Sequence, residues 1–197
     1  MASIAIVVHS GYGHTAKVAE HVEKGAASTG ATVTIHKAED FPDGDTGAWD
    51  ALEASDAIIF GSPTYMGSVS ATMATFLQAT SKVWFTEKWK NKIAAGFTNS
   101  GSLAGDKNET LQRFATLAAQ HGMIWVSFGM KAGFAASGDD YDTAQNRAGH
   151  YLGLGTRALT DLPAEEAPDP ADLQTAELFG RRVAEATARW VRGGEQA

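Results

Sequence analysis

Residues 7–20, "VVHSGYGHTAKVAE", take the chain from an apolar run into a polar loop and then into a helix. The run "IAIVV" (4–8) is short and β-branched, which is typical of a buried strand. The loop supplies the hydroxyl groups of Ser10 and Thr15, glycines, free backbone N–H groups and the positive end of a helix dipole. Together these features suit a phosphate monoester, because a helix N-terminus binds an anion without a lysine.

Two other interpretations of this loop stay open. The segment "GYGHTA" (11–16) also fits the dinucleotide fingerprint G-x-G-x-x-G/A, which requires an acidic residue at the end of the second strand. Lys37 lies near that position instead, so an NADP site of this kind is the weaker alternative. A plain strand-to-helix turn would also use glycines at these positions.

Four more short apolar runs follow, with helical patterns between them. They are "ATVTIH" (31–36), "AIIFG" (57–61), "IAAGF" (93–97) and "MIWVSF" (123–128). This alternation implies right-handed crossovers and a parallel sheet covered on both faces. We therefore predict one domain over residues 1–197, a three-layer α/β/α sandwich with a five-stranded parallel sheet of order 2-1-3-4-5.

The second half of the chain gives two further helix signals. Asp106 lies three residues before Glu109, the spacing of a capping pair at a helix start. Phe179, Val183 and Trp190 form an apolar stripe that predicts a C-terminal helix. Residues 129–170, between these helices, show no regular period, and long excursions of this kind are often functional.

Composition excludes several classes of function. The chain has 197 residues, 44% of them hydrophobic, a net charge of −7 and no cysteine. Without cysteine there is no disulfide, thiolate metal site or thiol chemistry, so a redox function would need a bound cofactor. The acidic charge argues against binding to nucleic acid. The N-terminus lacks a basic leader and the longest uncharged run (57–81) contains Pro63, so we expect a cytoplasmic protein with no membrane span.

No metal site is expected from the sequence. His9, His14, His36 and His150 are too scattered along the chain to form a ligand set. The acidic segment "GDDYD" (138–142) is more typical of a solvated loop than of a metal site.

Two more loops resemble the first in composition. "GSPTYMGS" (61–68) follows the third predicted strand, and "TNSGSLAG" (98–105) follows the fourth. In an open parallel sheet, ligands bind beyond the carboxyl ends of the strands where the strand order reverses. The loops after strands 1, 3 and 4 should therefore line one crevice. A phosphate at one end and a broad ring between two loops describe flavin mononucleotide (FMN) better than a dinucleotide.

These residues identify a family resemblance. The segments "HSGYGHTAKVAE" (9–20), "AIIFGSPTYMGSVSATMATFLQAT" (57–80) and "LAAQHGMIWVSFG" (117–129) resemble flavodoxin-like NAD(P)H-dependent FMN oxidoreductases, most closely the WrbA-type NAD(P)H:quinone oxidoreductases. The match covers most of residues 3 to 128. The family's glycine run is replaced here by "GSLAG" (101–105).

The resemblance implies a set of binding residues. The FMN phosphate would be bound by Ser10, Gly11, Tyr12, Gly13, His14 and Thr15. The rest of the noncovalent FMN site would comprise Pro63, Thr64, Tyr65, Met66, Asn99, Ser100, Gly101, Ser102, Leu103, Ala104 and His121. Tyr12 and Trp84 would contact the substrates. No side chain is implied as an obligatory acid or base, because FMN carries the chemistry.

The implied activity is two-electron transfer from NAD(P)H to a quinone or similar acceptor, with ping-pong kinetics. The resemblance also implies a homodimer or homotetramer. The alternative is a flavodoxin-style electron carrier without small-molecule turnover, whose net charge of −7 would suit basic redox partners. A binding or structural module with a decayed flavin site is a third possibility, which rests on Leu103 and Ala104 in the ring loop.

Overall fold

A computed structural model describes residues 1–41 and 47–194. Its strands are β1 (Ser3–Val8), β2 (Thr32–Lys37), β3 (Ala57–Tyr65), β4 (Ser68–Val69), β5 (Ile93–Ser100), β6 (Ile124–Trp125) and β7 (Leu154–Arg157). Its α-helices are α1 (His14–Ala27), α2 (Gly47–Ala54), α3 (Ala71–Ala79), α4 (Ser81–Phe85), α5 (Lys107–Gln120) and α6 (Pro170–Gly194). A short 3₁₀ helix covers Ala38–Asp40.

The central sheet has the order β2-β1-β3-β5-β6 with parallel pairing throughout. This is the predicted order 2-1-3-4-5, because β5 and β6 correspond to the fourth and fifth predicted strands. The α/β/α prediction is therefore confirmed. Two strands are additional: β4 pairs antiparallel with β3, and β7 pairs parallel with β5.

The fifth predicted strand is much shorter than expected. Of the run 123–128, only Ile124 and Trp125 form a strand, and they pair with Ile93 and Ala94. Further along β5, pairing passes to β7 in the register Phe97↔Leu154. Because β7 occupies this edge of β5, the chain after Trp125 leaves the sheet.

Helices cover both faces of the sheet, as the alternating side chains of β1 show. Ile4 and Ile6 lie in a core with helices α1 and α6, whereas Ala5 and Val7 lie in a core with α3 and α5. Burying these two faces supplies most of the hydrophobic stabilisation. Helices α1 and α6 approach closely, because a Cβ on Gly180 would lie 2.0 Å from the Val22 carbonyl oxygen.

The predicted capping pair at the start of α5 is wrong. Asp106 adopts a left-handed conformation with φ of 56°, and its side chain makes no hydrogen bond to the first turn. In that conformation the carboxylate is not directed at the free N–H groups of the helix, so the Asp106–Glu109 spacing has no capping role.

Candidate functional site

The candidate site lies at the carboxyl ends of β1, β3 and β5. A cavity of about 580 Å³, here called the inner cavity, opens between the loops that follow these strands. Nine of the residues expected to bind FMN line it: Ser10, Tyr12, His14, Thr15, Pro63, Tyr65, Asn99, Ser100 and Gly101. The strand order reverses between β1 and β3, so the cavity occupies the expected switch point.

The first loop has the features of a phosphate site. Helix α1 begins at His14, directly after Gly13, and no side chain caps its N-terminus. The Ser10 hydroxyl is buried and has no hydrogen-bond partner among the described residues. Thr15, in the first turn, is also buried. A buried hydroxyl without a partner beside free helical N–H groups fits a phosphate, which would satisfy both.

A β-hairpin carries Tyr65 and Met66 beside this loop. Strands β3 and β4 pair in the register Tyr65↔Ser68, and the two residues between them both have positive φ, 48° at Met66 and 76° at Gly67. Positive φ at both positions is typical of a type I′ turn, which fits the twist of a hairpin. The turn leaves the Met66 side chain fully exposed at the rim of the site.

Tyr65 lies over the first loop. A Cβ on Gly11 would lie 2.6 Å from the Tyr65 hydroxyl oxygen, so glycine is required for this contact. The Tyr65 ring meets the Tyr12 ring edge to face, with centroids 6.4 Å apart. Partial burial raises the pKa of Tyr65 above its usual value, so its hydroxyl stays protonated at neutral pH.

A second opening adjoins the inner cavity on the side of the β5 loop. This outer cavity, of about 740 Å³, shares Ser100, Gly101 and Thr160 with the inner cavity. Five of the expected FMN residues line it: Ser100 and Gly101, which are shared, and Thr64, Met66 and Ser102. The two cavities form one crevice between the hairpin and the β5 loop, which fits a phosphate at one end and a flat ring at the other.

Thr64 differs from expectation in where its side chain points. Its hydroxyl oxygen lies 2.7 Å from that of Thr98 and 2.8 Å from that of Thr110, and all three residues are buried. Because β3 continues to Tyr65, Thr64 belongs to the sheet rather than to a loop. Its hydroxyl is therefore hydrogen-bonded in the interior, although the residue also lines the outer cavity.

One wall of the site comes from residues that the sequence analysis did not name. Ala158, Thr160, Leu162 and Pro163 line the inner cavity, and all belong to the excursion at 129–170. The carbonyl of Leu162 lies 2.8 Å from Nε2 of His14, which joins this wall to the first loop. The only signal in the sequence was the unusual length of the excursion.

Buried polar contacts hold the excursion in place. Arg147 pairs with Asp172 at 3.0 Å and also with Asp169. Asp172 in turn accepts the backbone N–H of Arg157 at 2.7 Å, at the end of β7. Burial raises the pKa of Asp172, and the Arg157 N–H and the Arg147 guanidinium oppose that rise. Nearby, the Asn146 side chain donates to the carbonyls of Met130 and His150.

His121 and Trp84 lie elsewhere. His121 follows the last turn of α5, so it sits at the amino ends of the strands, opposite the crevice. Together with Trp84 it lines a separate far cavity of about 310 Å³, which shares no lining residue with the inner cavity. Nε2 of His121 lies 3.0 Å from the Thr80 hydroxyl, and burial lowers the pKa of its imidazole. Within one chain, the structure does not bring these two residues to the other expected site residues.

Gly11 and Gly13 shape the first loop, and Leu103 and Ala104 are exposed on the β5 loop.

In the part of the chain that the structure describes, no group of three or more His, Asp or Glu side chains is arranged to hold a metal ion. None of the described helices is both long enough and apolar enough to cross a membrane.

Comparison with known proteins gives consistent relatives. Residues 4–131 match the family described as NADPH-dependent FMN reductase. "Flavodoxin FldP" of Pseudomonas aeruginosa is 40% identical over 184 residues, covering 93% of this chain and 96% of that protein. An NAD(P)H dehydrogenase (quinone) of Archaeoglobus fulgidus is 32% identical over 204 positions, covering 94% of this chain and 97% of that protein.

A solved structure agrees with these relatives. The crystal structure of a WrbA-like flavodoxin from Agrobacterium tumefaciens has 40% sequence identity and a TM-score of 0.73. The alignment covers 96% of this chain and 99% of that one, so the flavodoxin-like fold extends over nearly the whole chain.

Proposed function

We propose, from the premise that the chain belongs to the NADPH-dependent FMN reductase family, that it transfers two electrons from NAD(P)H to a quinone or similar acceptor. Membership in this family supports an FMN-dependent oxidoreductase with NAD(P)H as donor. The quinone acceptor is the finer step, and the 32% identical NAD(P)H dehydrogenase (quinone) supports it. FMN, when bound, supplies the group that accepts and then releases an electron pair.

The observation that carries this proposal is the continuous crevice at the switch point. Its inner end meets the N-terminus of α1 and the unpartnered Ser10 hydroxyl, which suit the phosphate of FMN. Its outer end lies between the Met66 hairpin and the β5 loop, where a flat ring would be held on both sides. Tyr12 is 80% exposed at the mouth, so its ring is accessible to a nicotinamide.

We propose ping-pong kinetics because both substrates would use the same opening. The inner and outer cavities share one rim at Ser100, Gly101 and Thr160. A nicotinamide over the ring would block that rim, so the oxidised donor has to leave before the acceptor enters. No side chain is assigned as an obligatory acid or base.

We also propose a homodimer or homotetramer in the cytoplasm. Trp84 and His121 line the far cavity, at the edge of the sheet opposite the crevice. They would contact FMN or substrate only if a second chain presented its far cavity to the crevice of the first. Gel filtration of the FMN-loaded protein tests this assembly, and a monomer at all concentrations would contradict it.

The second candidate function is a flavodoxin-style electron carrier. The 40% identical relative named "Flavodoxin FldP" favours it, as does the net charge of −7, which suits docking to a basic redox protein. A carrier would bind FMN in the same crevice without turning over a small substrate.

Anaerobic mixing of the FMN-loaded protein with NADPH or NADH separates the two functions. The oxidoreductase predicts rapid loss of the oxidised flavin absorbance, followed by its recovery when a benzoquinone is added. Initial rates at several concentrations of both substrates should give parallel double-reciprocal lines. Bound flavin that stays oxidised with both nucleotides, yet is reduced by light in two one-electron steps, would establish the carrier instead.

A further inference from the structure

A buried lysine lies beneath the β5 loop, and none of the roles described above uses it. Lys107 is the first residue of α5 and has no exposed surface. Its ammonium group donates to the Ser100 hydroxyl at 2.7 Å, to the Leu103 carbonyl at 3.2 Å and also to the Ser102 carbonyl. A protonated lysine has three N–H donors, so each donor has one acceptor here.

These contacts determine which way the loop faces. The Ser102–Leu103 and Leu103–Ala104 peptide bonds are trans, so in each the N–H points away from the carbonyl. Because both carbonyls point inward to Lys107, the N–H groups of Leu103 and Ala104 point outward. Neither N–H donates to any partner in the described part of the chain. Gly101 and Ser102 of the same loop line the crevice.

The charge of Lys107 is only partly balanced. Within the described residues it forms no direct ion pair; Asp172 attracts it at longer range, but that carboxylate already binds Arg147 and the Arg157 N–H. The Arg157 guanidinium repels it. His150, in the excursion, adds no charge at neutral pH, because burial and Lys107 itself lower the pKa of that imidazole.

We propose that Lys107 is a positioning residue for FMN: it turns the N–H groups of Leu103 and Ala104 toward the ring, and its charge favours the reduced, anionic flavin. Lys107 does not touch FMN itself, because the loop lies between them. The proposal rests on the FMN site of the proposed function and is independent of the acceptor. Leu103 and Ala104, which replace the family's glycines, then act through their backbone, so their side chains do not signify a decayed site.

The test compares two lysines at opposite ends of β5. In Lys107→Met, the side chain keeps its length and loses its charge and donors. The matched control is Lys92→Met, because Lys92 also donates to backbone carbonyls, of Glu53 at 2.7 Å and of Ser55, but lies at the amino end of the strand. Flavin fluorescence gives the Kd for oxidised FMN, and a redox titration gives the midpoint potential of the bound flavin.

We expect Lys107→Met to raise the Kd for oxidised FMN about tenfold, since hydrogen bonds from the loop are misaligned. The affinity for reduced FMN should fall about tenfold more than the affinity for oxidised FMN, which lowers the two-electron midpoint potential by about 30 mV. Lys92→Met should leave both quantities unchanged. Wild-type values in Lys107→Met, or equal shifts in both variants, would overturn the proposal.

A second measurement needs no variant, so it decides the matter even if Lys107→Met does not fold. Burial lowers the pKa of Lys107 to about 8, and a neutral amine has only two donors for three acceptors. The Kd of the wild-type protein for FMN should therefore rise between pH 7 and pH 9.5, because binding favours the protonated lysine. A flat profile would overturn the proposal.

Two other titratable groups near the crevice have shifted pKa values. Burial lowers the pKa of His150, so its imidazole is neutral throughout this range, and partial burial raises the pKa of Tyr65, which favours its protonated form. The phosphate monoester of FMN has already lost its second proton, with a pKa of about 6. A wild-type protein that binds FMN but reduces no quinone would contradict the proposed function while leaving this test intact.

Discussion

Strand β1 has a serine near each end, and the surroundings of the two serines differ. At the amino end, the Ser3 hydroxyl donates to Asp56 Oδ2 at 2.8 Å and accepts the Asp56 backbone N–H at 3.0 Å. Beyond the carboxyl end, the Ser10 hydroxyl is buried without a partner among the described residues. The amino end is closed by its own hydrogen bonds, whereas the carboxyl end leaves a polar atom available to a ligand.

Strand β5 repeats this contrast with two lysines. Lys92, just before β5, donates to the carbonyls of Glu53 and Ser55 and so joins the connection between α2 and β3 to the amino end of β5. Lys107 also donates to two carbonyls, but the loop it holds lines a cavity and keeps two N–H groups that have no acceptor within residues 1–41 and 47–194. The same side-chain chemistry therefore stabilises the fold at one edge of the sheet and shapes a binding site at the other.

The largest expected effect comes from a residue at the carboxyl edge of the sheet whose loss should change both stability and FMN binding. At this position the two properties are therefore not separated between the two edges. Arg147→Met removes the buried partner of Asp172, which also holds the Arg157 N–H beside the cavity wall. We expect a loss of about 3–5 kcal/mol in the free energy of unfolding, measured in urea, together with weaker FMN binding.

The control for Arg147→Met is Arg189→Met. Arg189 is exposed and pairs with Glu185 at 3.6 Å, so its loss should cost less than about 0.5 kcal/mol. If the two variants are equally stable, the anchoring role of Arg147 is wrong.

The second largest effect is a change of stability with pH that depends on Lys107. Burial lowers the pKa of Lys107 from 10.5 to about 8, so the folded chain releases this proton at a lower pH than the unfolded chain. The stability of the FMN-free wild-type protein, relative to Lys107→Met, should rise by about 2 kcal/mol between pH 7 and 9.5. Urea unfolding at several pH values measures it. FMN affinity should change in the opposite direction, and a stability difference that falls with pH would contradict this assignment.

The smallest effect is expected from replacing the serine near each end of β1 by alanine. Ser10→Ala removes a hydroxyl with no partner among the described residues, so FMN affinity should fall about tenfold while the free energy of unfolding stays within about 0.5 kcal/mol. Ser3→Ala removes a hydroxyl that makes two hydrogen bonds with Asp56, so the free energy of unfolding should fall by about 1 kcal/mol. The Kd for FMN should not change in this variant. Equal behaviour of the two variants would refute the distinction between the edges.

Much of the fold was predictable because the strands are local patterns. The β-branched run before Ser10 and the buried run before Thr64 form strands by composition, and parallel pairing then brings the polar residues that follow them to one edge. The composition of the loops accordingly predicted most of the inner cavity.

The features that the sequence did not predict depend on contacts between distant parts of the chain. The sequence around Leu154 reads "LGLG" (152–155), a weak strand signal, and β7 forms only because β5 offers an open edge. The wall at Ala158 and Thr160 follows from that pairing. The side chain of Thr64 points inward because β3 continues past the expected end of the strand at Gly61, which composition alone does not reveal.

The long-range pairing of β7 has a consequence for the order in which the site assembles. Thr156 lies 57 residues after Asn99, whose side chain it contacts, so the pair closes a long loop at a large cost in chain entropy. The phosphate loop is positioned by more local contacts, because it follows β1 directly and β1 pairs with the next strand along the chain in the register Ile4↔Val33. The wall of the inner cavity that follows β7, at Ala158 and Thr160, is thus expected to fold after the phosphate loop, and its amide hydrogens to exchange with solvent first.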